Sequence, residues 1–208
     1  MLISTEKNFI FVHVAKTGGT AIKKALRPYA VKKARGQWRR LLSHLPVPEG
    51  VDAQFGPHTS ARWAKLKLPA AFFDGAFKFA IVRNPYDLAV SRYSFIQGAQ
   101  RHHRHKRAAG QSFADFLRSE KRRAFRDDQT SMLYGWNGAL LVDRIYRFEE
   151  MEEAYRDIVE RLDLRDAPEL ARVNASKRGT YREYYGKTER KLGEEIWARD
   201  IANFGYRF

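Results

Sequence analysis

The residues best equipped for chemistry fall in two short stretches, each placed where a strand gives way to a helix. The first is Val14-Ala15-Lys16-Thr17-Gly18-Gly19-Thr20. Backbone N–H groups at the start of a helix point outward, and the helix dipole adds a partial positive charge, so such a turn favours an anion. Gly18 and Gly19 let the backbone come close, Lys16 supplies a mobile charge, the hydroxyls of Thr17 and Thr20 are further donors, and Ala21 opens the helix behind them. A nucleoside triphosphate loop would carry its lysine directly after the last glycine. Here the lysine precedes the glycines, which suits a shorter phosphate group and requires no Mg²⁺. An ordinary strand-to-helix turn is the alternative.

The second stretch runs Phe79-Ala80-Ile81-Val82-Arg83-Asn84-Pro85-Tyr86-Asp87 and continues to Ser91-Arg92-Tyr93. It puts Arg83 at the C-terminal end of a strand, where open α/β sheets bind their ligands. A planar guanidinium meets a phosphate with two parallel hydrogen bonds, and Ser91 in the next helix can donate a third. Arg83 and Ser91 thus form a second anion site; alternatively Arg-Asn-Pro only caps the strand. Between the two stretches His58, in Gly56-Pro57-His58-Thr59-Ser60-Ala61, is the candidate general base, since imidazole titrates near neutral pH. A helix-capping or substrate-positioning role is equally open to it. Asp87 and Glu149 are the substitute bases, though Asp87 can equally cap its helix. His13, on an apolar strand, reads as a hydrogen-bonded core histidine. His102, His103 and His105 sit in the run Arg101 to Arg107 with no carboxylate cluster nearby, so we assign no metal and expect an exposed loop that draws in an acidic acceptor.

Several elements must hold these residues. Phe9 to Val14 and Phe77 to Val82 are continuous apolar runs of the kind that form buried parallel strands. The first leads into a helix carrying Ile22, Ala25 and Leu26 and ending before Pro28; the second leads into a helix from Tyr86 to about Ile96. Further helices are expected at Thr59 to Leu68, after Ser112 with Asp115 completing a capping box, at Met151 to Leu162, and at Thr188 to Phe204, with a third strand at Val142 to Phe148. Residues 30–57 and 97–109 read as irregular. Two strand-loop-helix units predict an α/β fold: a single domain over residues 1–208 with a central parallel sheet flanked by helices and a P-loop-like nucleotide-binding core.

At these two motifs the chain resembles the sulfotransferases that use 3′-phosphoadenosine 5′-phosphosulfate (PAPS). Their 5′-phosphosulfate loop has the same strand, Lys-Thr/Ser-Gly-Gly/Ser-Thr turn and helix. Their 3′-phosphate motif is Arg-Asn/Asp-Pro followed by an aromatic or hydrophobic residue and later Ser-x-Tyr. The segments Ile145 to Glu150, Asn174-Ala175-Ser176, Tyr181 to Tyr185 and Asp200 to Phe208 are similar to the closing part of the compact, carbohydrate-type branch, the bacterial and Golgi glycan enzymes. The resemblance implies PAPS as the cofactor, with adenosine 3′,5′-bisphosphate (PAP) as product and no metal. It implies binding by Lys16, Thr17, Gly18, Gly19, Thr20, Ala21, Arg83 and Ser91, with Ser176, Lys177 and Arg178 in a loop that closes over the nucleotide. Sulfuryl transfer would then be an in-line displacement, with Lys16 and His58 catalytic.

Bulk composition agrees with an anionic ligand. The 208 residues hold 39 Lys and Arg against 24 Asp and Glu, a net charge of +15, which attracts anions at long range. With no cysteine, disulfides and thiolate metal sites are excluded. The start of the chain has no signal-peptide pattern and no segment approaches a membrane span, so a cytoplasmic location is expected, with no integral membrane segment. The expected partner is a small-molecule or glycan acceptor, neutral or acidic, offering a hydroxyl or amine, and not a nucleic acid. The rival readings are a nucleotide-dependent kinase or phosphoryl transferase, which needs a Mg²⁺ site, a basic nucleic-acid-binding protein, which needs a recognition motif, and a family member that binds the nucleotide without turnover.

Overall fold

A computed structural model describes residues 1–32, 38, 45, 47–56, 58–101, 104–122, 128–170 and 179–208. In chain order its elements are β1 (Leu2–Ser4), β2 (Phe9–Val12), α1 (Gly19–Leu26), α2 (Ala61–Lys67), α3 (Ala70–Gly75), β3 (Phe77–Val82), α4 (Pro85–Gly98), α5 (His105–Ala108), α6 (Phe113–Lys121), α7 (Gln129–Leu133), β4 (Arg144–Arg147), α8 (Met151–Arg161), α9 (Lys187–Ile196) and α10 (Ala198–Phe204). The chain divides into two units, Met1–Val82 with Ser131–Val173, and Arg83–Thr130 with Asn174–Phe208.

The first unit holds the sheet, in the order β1-β2-β3-β4. β2, β3 and β4 run parallel, with Val12 opposite Ala80 and Val82 opposite Arg147. The expected strands are present, and the fold is α/β with a P-loop-like strand-loop-helix core. Every residue of Phe9–Val12 is buried, as a strand covered on both faces requires. Phe11 and Phe79 stack at 5.2 Å between ring centroids, and Phe9 lies 6.0 Å from Phe79. Each such ring contributes about 1.5–3 kcal/mol by leaving water. α8 covers this core with Ala154 and Ile158, joined by Leu162. α2 buries Ala61 and Ala64 with Leu68 just beyond, as its apolar spacing predicts, and in addition Lys67, which pairs with Glu49.

Several details of this unit differ from the sequence expectation, and β4 is shorter than the expected Val142 to Phe148. β2 stops at Val12 rather than Val14, because the chain turns there into the loop that leads to α1. β1 pairs antiparallel with β2 through three residues, too few for periodicity to register. α3 follows Pro69, which serves as its N-cap.

In the second unit α4 begins with Pro85 at its first position and Asn84 as cap, whose side-chain oxygen accepts the N–H of Tyr86 at 3.0 Å. Ser112 caps α6 as its spacing with Asp115 predicts, accepting the Asp115 N–H at 3.1 Å. The expected continuous helix from Thr188 to Phe204 is two helices, broken at the buried Trp197. The break lets α10 turn Asp200 and Phe204, four residues apart and both buried, to one side. The segment 97–109, expected to be loop throughout, contains the single turn α5, and Arg104 before it is paired with the buried Glu120 of α6.

Candidate active site

The loop between β2 and α1 is built from two left-handed residues close together. Lys16 has φ of +65° and Gly18 has φ of +72°. Gly18 is the N-cap of α1, and no side chain caps that first turn, so amides there remain for an incoming anion. The amide of Ala21 closes back on the Gly18 carbonyl at 3.0 Å, which puts Gly19 and Thr20 ahead of it at the helix tip. Thr17 is fully buried and its hydroxyl donates to the Val14 carbonyl at 3.1 Å. It therefore ties the loop together, while the exposed Thr20 keeps its hydroxyl at the surface.

Both glycines are also fixed from beneath. A Cβ on Gly18 would lie 2.7 Å from Met151 Cε and 2.7 Å from Phe148 Cδ2, and one on Gly19 would fall on His13 Cδ2 and come within 3.2 Å of Phe11 Cζ. The loop is thus pressed onto the first turn of α8 and onto the end of β2, leaving no room for a side chain.

His58 meets this loop from 45 residues downstream, its Nδ1 lying 3.2 Å from the His13 carbonyl oxygen. A carbonyl can only accept, so Nδ1 carries the proton and, in the neutral ring, Nε2 keeps its lone pair. The two imidazoles lie 4.9 Å apart at 50°. His13 is partly buried. Desolvation first, then the positive field of His58, the amino terminus and Lys23, pull its pKa from 6.5 down to about 3, so it is neutral at physiological pH. The strained backbone is equally pointed. Among the described residues the non-glycine positions with positive φ are Asn8, Lys16, His58 and Asp163. Asn, Asp and His are the non-glycine residues enriched in this region, whereas a lysine there is uncommon and stores strain of the kind that collects at functional sites. Both catalytic candidates from the sequence, Lys16 and His58, are among these four.

In the second unit Arg83, bonded to the last residue of β3, turns its guanidinium onto Asp87. Nε and Nη2 lie 2.7 and 2.6 Å from Asp87 Oδ2. Asp87 therefore does not cap α4, a role held by Asn84, and instead orients the arginine. Ser91 is buried one turn further along the same face. The Arg83 backbone is gripped by Gln129, whose Oε1 accepts its N–H and whose Nε2 donates to its carbonyl, each at 2.8 Å. Sequence reasoning missed Gln129 and the buried Asp200 behind it. The available signal was an acid on the inward stripe of the last helix.

Ser176, Lys177 and Arg178, as well as His102 and His103, lie outside the described residues. Glu149 is exposed in a short 3₁₀ turn, Phe148–Glu150. Among the described residues no group of His, Cys, Asp and Glu is placed to hold a metal ion, and no helix is long and apolar enough to cross a membrane.

Comparison with known proteins adds three findings. The family model described as "Sulfotransferase family" matches residues 1–207. Among solved structures the chain is similar to mouse sulfotransferase SULT7A1 complexed with PAP, with a TM-score of 0.56 and 14% identity over 97% of this chain and 86% of that one, a likeness of fold. None of the curated proteins compared with the chain matches it.

Proposed function

Because this chain belongs to the sulfotransferase family, we propose that residues 1–208 work as one domain that moves a sulfuryl group from PAPS to a hydroxyl or amine of a saccharide or other small acceptor. The observation that carries this reading is the loop at Lys16 to Thr20: a left-handed lysine and a left-handed glycine ahead of an uncapped helix. That geometry fits one phosphate-sized anion.

Bound PAPS supplies the sulfuryl group and departs as PAP. The protein's task is to orient and neutralise. The amides of Gly18, Gly19 and Thr20 hold the 5′-phosphosulfate, with Thr17 and Ala21 fixing the loop's shape. Lys16 Nζ neutralises charge on the bridging oxygen, a contribution of about 10²–10³-fold in rate for one well-placed donor. His58 Nε2 accepts the acceptor's proton, worth roughly 10²–10⁴-fold. Arg83 and Ser91 take the 3′-phosphate, and Ser176, Lys177 and Arg178 contact the 3′-phosphate or the adenine. The excess of basic residues, +15 overall, supports an acidic saccharide as acceptor, and the absence of cysteine supports a cytoplasmic location.

The test is thermal stabilisation by PAP, by ATP with Mg²⁺ and by duplex DNA, followed by sulfate transfer from PAPS to a panel of acidic and neutral saccharides, phenols and amines. Selective stabilisation by PAP together with transfer is expected. Preference for ATP with Mg²⁺ or for DNA, or binding of PAP without transfer to any acceptor, would overturn the reading.

A further inference from the structure

We infer that Gln129 and Asp200 are positioning residues that aim Arg83 at the 3′-phosphate. The inference rests on the assignment of Arg83 to that phosphate, and its foundation is the Gln129 amide clamped on the Arg83 backbone.

β3 ends at Val82, and Arg83 is the next residue. Beyond the strand its backbone groups need other partners. Gln129 supplies both through a single side chain, with two bonds of 2.8 Å, in the pattern an adjacent strand would make. Two bonds to one residue fix its backbone dihedrals and so the direction in which its side chain sets out. Asp87 then holds the guanidinium end. The arginine is steered from both its root and its tip.

Gln129 is itself immobilised. It is fully buried, its backbone N–H donates to Asp200 Oδ2 at 3.0 Å, and its Nε2 reaches the same oxygen at 3.3 Å, so both protons of the amide are used. Asp200, fully buried, accepts in addition the N–H and the hydroxyl of Thr130 on Oδ1, at 2.8 and 2.7 Å. A buried carboxylate with four donors around it rigidifies what it binds, and apolar packing would have joined α7 to α10 without it. What the polar network adds is a fixed amide facing Arg83.

The experiment compares calorimetric affinities for PAP and AMP, which differ only in the 3′-phosphate, across four variants. Arg83→Ala is expected to lose most of the PAP preference. Gln129→Met, similar in length but without the amide, is expected to narrow the PAP/AMP ratio by about tenfold, the worth of one charge-assisted bond, while AMP binding changes by less than about twofold. Asp200→Asn should narrow the ratio in the same direction. Thr130→Val breaks one bond to Asp200 and leaves the clamp intact, so it should lower the melting temperature and keep the ratio. If Gln129→Met does not fold, Asp200→Asn decides. A full ratio in the folded Gln129→Met protein, or equal losses for PAP and AMP, overturns the clamp alone, provided Arg83→Ala lost the ratio. An unchanged ratio in Arg83→Ala overturns the phosphate assignment and the clamp's purpose with it.

Discussion

Replacing Gly18 by alanine separates two demands on the phosphate loop, a left-handed backbone and a floor too close for a side chain. A non-glycine residue in the left-handed region costs about 1–2 kcal/mol. At Gly18 the new methyl would also stand 2.7 Å from both Met151 Cε and Phe148 Cδ2. Methionine can swing aside, but the phenyl ring is held against the core, and overpacking of this sort costs about 1–3 kcal/mol. We therefore expect a loss of about 2–5 kcal/mol in Gly18→Ala. Gly138 provides the reference, since its φ is +77° with nothing within 4 Å of an added Cβ. Gly138→Ala should show the conformational cost alone, about 1–2 kcal/mol. Urea unfolding, read from midpoints at constant m, gives both values. Turnover of PAPS should fall at least tenfold in Gly18→Ala, because displacements of about 1 Å cost up to 10²-fold, and should be unchanged in Gly138→Ala. Equal destabilisation by the two substitutions, or normal turnover in Gly18→Ala, would refute the reasoning.

Other perturbations have equally definite outcomes. Lys16→Ala should lower kcat by about 10²–10³-fold with little effect on melting temperature, and Lys16→Gly should be more stable than Lys16→Ala by about 1 kcal/mol because φ is +65° there. Arg83→Ala should act mainly on KM for PAPS, by tenfold or more, the value of a charge-assisted bond pair; near-normal kinetics would contradict the site. His58→Gln should reduce kcat by about 10²–10⁴-fold and remove the acidic limb of the pH–rate profile. His13 has its folded-state pKa pulled from 6.5 to about 3, so the folded state binds fewer protons between those values and stability is lost as pH falls from about 6.5 towards 3. The slope is at most about 1.4 kcal/mol per pH unit, roughly halved because the ring is partly exposed. Unfolding free energies from urea titrations at pH 7.5 and 5.0 should therefore separate by about 1 kcal/mol more in the native protein than in His13→Asn.

Much of the sheet and the two strand-to-helix turns at Lys16 and Arg83 were legible because both depend on local pattern. Phe9-Ile10-Phe11-Val12 and Phe77 to Val82 are apolar without a break, and a glycine pair or an Arg-Asn-Pro directly after such a run has few structural uses. Ser112 with Asp115 announced its helix for the same reason. What stayed hidden was set by contacts across the chain. No residue-type signal marks Lys16 as left-handed, since lysine seldom is. The His13–His58 pairing joins residues 45 apart. Asp87 looked like a cap because carboxylates favour helix starts, but Asn84 sits nearer and its amide oxygen already serves Tyr86. Gln129 and Asp200 lie 71 residues apart, and only the folded second unit shows that Asp200 holds the glutamine that grips Arg83. The break at Trp197 comes one turn before the buried Asp200, a polar position that apolar periodicity does not register.

The central claim is that two separate motifs each hold one phosphate of the same nucleotide. A crystal structure of the protein with PAP tests it most directly. The account predicts the 5′-phosphate within hydrogen-bond reach of Lys16 Nζ and the amides of Gly18 to Thr20, and the 3′-phosphate on the Arg83 guanidinium and the Ser91 hydroxyl. A nucleotide bound elsewhere, or one whose phosphates leave Lys16 and Arg83 without contact, would contradict it.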